Sequence, residues 1–210
     1  MKPNQKNDWI LHEIEFTLCA NMLGRGEWDH IPVLKREQPL EQRMLDGVMR
    51  LVEMGLLLPA QGQTFQPSPL LLQRMQCIIW PERLVQVIGR DVPNWRFFRN
   101  GQDCVLVEPV LTEVDGYRVM ELEEPEAELL WACLQEREEG CYPPVDEALE
   151  AQLDGAQALL MVAEVGAAAP RMARIFEQEG QVWLEGQTSV PLTQEYLTQW
   201  LEGKGGASAI

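Results

Sequence analysis

Residues 83–124 read RLVQVIGRDVPNWRFFRNGQDCVLVEPVLTEVDGYRVMELEE. Four segments within it, 83–91, 94–101, 103–111 and 116–124, are rich in β-branched and aromatic residues, which suit a pleated, half-buried surface. Turn signals separate them at Asp91–Pro93, Asn100–Gly101 and Asp115–Gly116. Asn-Gly and Asp-Gly tolerate the positive φ of tight hairpin turns, so they join antiparallel neighbours. Alternation is visible as Val105 and Val107 against Leu106 and Glu108, and as Tyr117 and Val119 against Arg118 and Met120. The stretch therefore predicts three or four antiparallel strands in a meander.

Helical signals lie on both sides. Upstream, apolar residues at Ile10, Ile14, Leu18 and Met22 predict a helix over 9–24 that ends at Gly24, with a loop over 24–33. A second helix, 40–54, carries Leu40, Met44, Leu45, Val48, Leu51 and Val52 as its expected buried stripe and Gly55 as its cap. Residues 56–66 then read as a short hairpin, and a third helix opens near Pro67–Pro69, because proline suits the first helical turn. Downstream, proline-led helices are expected over 125–140 and 143–155. Residues 156–166 fit a strand or a helix. Residues 170–180 and 181–187 form a hairpin around Glu179–Gly180, and a final helix over 192–203 buries Leu192, Tyr196, Leu197 and Trp200. The class is α+β: an antiparallel meander sheet with flanking helices and a winged-helix-like N-terminal part. The expected division is a helical part over 1–82, a sheet with helices over 83–203 and a disordered tail over 204–210. A two-half pseudo-repeat is hinted at by Glu13, Glu15, Leu18 and Leu23 matching Glu124, Glu126, Leu129 and Leu134 in spacing.

The net charge is −16, and residues 101–155 hold 16 acidic against 2 basic side chains. Such a surface repels phosphate backbones and acidic membranes and favours a basic partner. DNA binding by a winged helix needs cations on its helix and wing. Here Arg43 and Arg50 stand against Glu41, Asp46 and Glu53, and the hairpin tip PAQGQT (59–64) has neither Lys nor Arg. No stretch approaches the ~20 apolar residues of a membrane helix. The N-terminus lacks the pattern of a signal peptide. The five cysteines form no CxxC and read as free thiols of a reducing compartment, so a cytoplasmic protein is expected.

Catalytic patterns are missing. His12 and His30 are the only histidines, and HEIEF lacks the second histidine of a zinc-protease helix. No phosphate-binding glycine loop or GxSxG elbow occurs, and no cofactor, metal or catalytic residue is expected. Cys19 or Cys133 would need a base to act as a nucleophile and read as core thiols. ELEEPEAE (121–128) packs five glutamates around a helix start, where they favour the helix dipole. Two features suggest a contact. Trp28 sits in a polar loop, and exposed tryptophans are frequent interface anchors. Glu136, Glu138 and Glu139 crowd a helix C-terminus against the dipole, which points to a basic partner.

The run Gly55, Leu56, Leu57, a hairpin, then Pro69, Leu70, Leu71 and finally Pro81 before strands resembles the pattern of EspG-type chaperones of type VII (ESX) secretion. The resemblance covers about forty residues and the two-half layout. It implies a cytosolic, non-enzymatic adaptor that binds a helical secretion substrate, with no catalytic residues to carry over. The first functional reading is thus a protein-binding adaptor or chaperone with a helical or basic partner. The alternative is a winged-helix transcriptional regulator with an acidic sensing half.

Overall fold

The computed structural model describes residues 8–24, 40–62, 64–90, 92–110, 112–113, 116–135, 147–185 and 191–204 of the chain. The elements in order are β1 (Trp9–His12), α1 (Glu13–Met22), α2 (Leu40–Glu53), β2 (Leu57–Ala60), β3 (Thr64–Pro67) and α3 (Pro69–Ile79). The meander follows as β4 (Arg83–Gly89), β5 (Trp95–Asn100), β6 (Asp103–Pro109) and β7 (Gly116–Glu121). After it come α4 (Glu126–Gln135), α5 (Glu147–Leu153), β8 (Ala158–Glu164), β9 (Arg171–Gln178), β10 (Gln181–Leu184) and α6 (Gln194–Leu201). The fold is α+β. An eight-stranded antiparallel sheet runs β1-β7-β6-β5-β4-β8-β9-β10, and β2 and β3 form a separate two-stranded sheet. The four meander strands are consecutive neighbours in it, as the turn signals require.

The chain forms two compact units, Met1–Pro81 with Arg99–Glu121, and Glu82–Phe98 with Leu122–Ile210. In the first, β1 pairs with β7 in the register Trp9↔Val119 to His12↔Gly116. This corrects the expected helix over 9–24. Its first four residues are strand, and the helix begins only at Glu13. The reason is tertiary: Trp9 and Leu11 alternate into the core as a strand face, and β7 supplies the ladder that a helix would have supplied internally. Leu11, Phe16, Leu51, Leu57, Leu71, Met75 and Ile78 are buried here, and Phe16 meets Tyr117 edge-on. The end of α2 follows its sequence signal. Gly55 takes φ +70°, its N–H bonds the Val52 carbonyl, and the Leu56 N–H bonds the Leu51 carbonyl, a Schellman closure. Ser68 caps α3 through Leu71 N–H at 3.2 Å, with Pro69 at the first helical position.

In the second unit, β8 pairs with β4 from Arg83↔Glu164 to Gly89↔Ala158 and with β9 from Ala158↔Ile175 to Val162↔Arg171. The segment 158–164, which fitted either class by pattern, is thus a strand with partners on both sides. Leu160, Val162, Val85, Val87 and Ile175 form its buried face. Glu179 and Gly180 turn β9 into β10 with φ of +54° and +75°, the two positive values of a type I′ turn. Helix α4 packs on α6, burying Leu130, Leu134 and Leu197. Three arginines from the strands and their ends reach helix C-termini. Arg171 donates to the Trp200 and Leu201 carbonyls of α6, Arg174 to the Gln152 carbonyl of α5, and Arg90 to the Ala156 carbonyl just beyond α5.

Candidate functional site: the two faces of helix α2

Helix α2 lies against α1 at Gly47. A Cβ there would stand 2.9 Å from Leu18 Cδ1 and 3.2 Å from Ile14 Cγ2, so the side chain is missing where the helices approach most closely. Around this contact the two arginines of α2 reach carboxylates of α1. Glu13 and Glu15, in the first turn of α1, are buried to 3% and 1% exposure. Arg43 Nη2 lies 3.2 Å from Glu13 Oε1, and Arg50 Nε lies 3.3 Å from Glu15 Oε1. Arg50 also reaches the Ile10 carbonyl at 3.5 Å.

His12 completes the cluster. It is the N-cap of α1, and its backbone N–H donates to Glu15 Oε2, as in a capping box. Its ring Nδ1 lies 3.3 Å from Glu15 Oε2 and its Nε2 lies 3.3 Å from Glu113 Oε2. A cavity of about 180 Å³ remains between the helices, lined by His12, Glu13, Glu15, Arg43, Asp46 and Arg50. Glu13 and Glu15 are answered by Arg43 and Arg50, and Asp46 is a third carboxylate at its edge. No group of His, Cys, Asp or Glu among the described residues could hold a metal ion. The cluster acts as a clamp: it fixes which side of α2 faces α1.

That rotation decides what α2 shows to solvent. Leu45 is 57% and Met49 50% exposed, while Gly47 and Leu51 are buried. At 100° per residue, positions 45, 49 and 52 fall within about 60° of one another, on the side away from 47 and 51. The expected buried stripe is therefore corrected. Of its residues only Leu51 is buried; Leu40 and Leu45 are exposed, and Met44, Val48 and Val52 are half-buried. Gly47 and Leu51 share the side of α2 from which Arg43 and Arg50 pair with Glu13 and Glu15. Met54, Leu58 and Phe65, in the connection and the hairpin that follow, are also exposed.

Trp28, Glu136, Glu138 and Glu139, the contact residues singled out from the sequence, lie outside the described residues. His12, inside the helix expected over 9–24, stands instead at the helix start, beside two carboxylates. Trp80 is exposed. Cys19, Cys77 and Cys104 are free and buried, and Cys133 is free and half-buried. Burial, with Glu15 nearby, pushes the Cys19 thiol up to about 12; burial, with Asp103 nearby, pushes Cys77 up to about 11. Neither is poised to form a thiolate. Within ELEEPEAE, Glu121 pairs with Arg74 and Glu126 with Arg83, and Glu126 and Glu128 stand in the first turn of α4. The sequence reading missed the clamp and the outward apolar row. Gly47 was the available signal, since a glycine inside a helix often marks close packing on its own side.

No protein-family model matches the chain, and no curated protein matches it.

Proposed function

We propose that the chain is a non-enzymatic, cytoplasmic adaptor or chaperone that binds a helical protein partner. The observation that carries this reading is the outward face of α2, where Leu45 and Met49 stand in solvent while an ionic clamp holds the opposite face. A helix that exposes an apolar row at helical spacing offers the packing surface that another helix uses. Methionine suits it, because its unbranched thioether adapts to varied partners. Met54, Leu58 and Phe65 extend the apolar content of the same helix–hairpin region. No helix among the described residues is long and apolar enough to cross a membrane, so this apolar face is not part of a spanning helix.

A role beside secretion is supported by the order of elements that resembles EspG-type chaperones: α2 closing at Gly55, a hairpin, α3 opening at Pro69, then Pro81 before β4. The test is affinity capture from source-cell lysate with the wild-type chain and with Leu45→Asp/Met49→Asp. A stoichiometric helical protein retained by the wild type and lost by the variant supports the adaptor. Nucleic acid carried through moderate salt would replace it with the winged-helix regulator.

A further inference from the structure

Resting on the adaptor reading, we infer that the outward face of α2 takes a basic amphipathic helix, one whose apolar row is bordered by lysine or arginine. The argument is charge complementarity. Helix α2 carries two cations, and both are paired: Arg43, largely out of water, with Glu13, and Arg50, its side chain 42% exposed, with Glu15. Among the described residues, the charged side chains of α2 beside Leu45 and Met49 are Glu41 and Glu53, both exposed, with Asp46 at the edge of the cavity. The hairpin that follows, residues 57–67, contains no Lys or Arg. The ion pairs thus engage both cations of α2 with α1 and leave Glu41 and Glu53 beside the apolar row. A docking helix with acidic borders would meet like charge across a partly desolvated contact, which disfavours it strongly. From Leu45 to Val52 the row is about 10 Å long, or about two turns of a partner helix.

The experiment uses the full chain and three designed helical peptides followed by fluorescence anisotropy. One has a leucine row bordered by lysines, one the same row bordered by glutamates, and the third is the lysine peptide in scrambled order. The lysine peptide is expected to bind at least about tenfold tighter than the other two at moderate salt. Leu45→Asp/Met49→Asp should abolish its binding, although that variant is the more acidic protein. Glu41→Lys/Glu53→Lys should weaken the lysine peptide and strengthen the glutamate peptide. Circular dichroism checks that each variant is folded. Equal binding of the lysine and glutamate peptides, with both lost in Leu45→Asp/Met49→Asp, overturns the charge preference and leaves the adaptor standing. Equal binding of the scrambled peptide, or binding unchanged by Leu45→Asp/Met49→Asp, overturns the docking face itself. Binding of none of the peptides does the same, and the lysate capture then judges the adaptor reading separately.

Discussion

One carboxylate, that of Glu15, accepts the His12 N–H, faces the His12 ring and pairs with Arg50 while nearly sealed from water. Removing its charge weakens the acceptor of the His12 N–H, while Arg50, its side chain 42% exposed, can turn to water. Glu15→Gln is expected to cost about 1–3 kcal/mol by urea unfolding, because a charge-assisted hydrogen bond to the helix start becomes a neutral one. Glu41→Gln, on an exposed position of α2, should change stability by less than about 0.5 kcal/mol. Gly89 sets a limit of another kind: a Cβ there would lie 2.2 Å from the Gln157 carbonyl oxygen and 2.5 Å from Ala158 Cα. Both are backbone of the paired strand, so Gly89→Ala should destabilise by about 2 kcal/mol or more, read as a lowered melting temperature. The buried thiols add a pH dependence. Their folded values, about 12 for Cys19 and about 11 for Cys77, lie above the ordinary value of 9.0, so above pH 9 the unfolded chain releases these protons first. Stability is full below pH 9 and should then fall by up to about 1.4 kcal/mol per pH unit per thiol. Denaturation midpoints at pH 8, 9 and 10 measure it, and Cys19→Ala should flatten the slope. Of these residues, the cysteines were legible as core thiols from their apolar neighbours. Glu15 was not, because its partner lies 35 positions away at Arg50 and no local spacing links them.

At the level of elements, the helices draw their C-terminal cations from elsewhere. Neither α5 nor α6 has a basic residue in its last turn. Arg171 supplies the charge to α6 and also lies over the Trp200 ring, 5.1 Å from its centroid. Arg171→Ala should cost about 1–2 kcal/mol and speed amide exchange in α6 more than elsewhere in its unit. Hydrogen exchange read by mass spectrometry separates that local effect from a general loss. Elements whose signals are local were legible: the meander from its turn pairs, α2's end from Gly55, α3's start from Pro69, and the β9–β10 turn from Glu179–Gly180. Residues 9–12 misled because Ile10 and Ile14 satisfy a helical spacing, whereas the strand depends on β7, a partner that periodicity cannot see. The stripe of α2 misled for a related reason. Periodicity finds an apolar side but does not reveal that the opposite side carries the ion pairs.

Across the whole molecule, the α+β class followed from the order of signals: helices, strands, helices, strands, helix. Strand neighbours were legible only where a tight turn joined them. Neither the β4–β8 nor the β1–β7 pairing has such a turn, and neither could be read. Protection from exchange should follow this architecture. The two-stranded β2–β3 sheet should exchange first, since an isolated hairpin is marginal, and β8, paired on both sides, among the last. Comparable protection in both would refute the assignment of β2 and β3 to a sheet of their own.

The β1–β7 pairing also bears on how the chain is made. Strand β1 is synthesised about a hundred residues before its partner, which ends only at Glu121. Until then Trp9 and Leu11, both buried in the finished fold, have no ladder to join. At a synthesis rate of about 5–20 residues per second, β1 waits for several seconds before its paired strand exists. A ribosome-associated holdase would have that interval in which to engage it, and translation arrested before residue 116 would leave a chain without the means to close its own N-terminal strand.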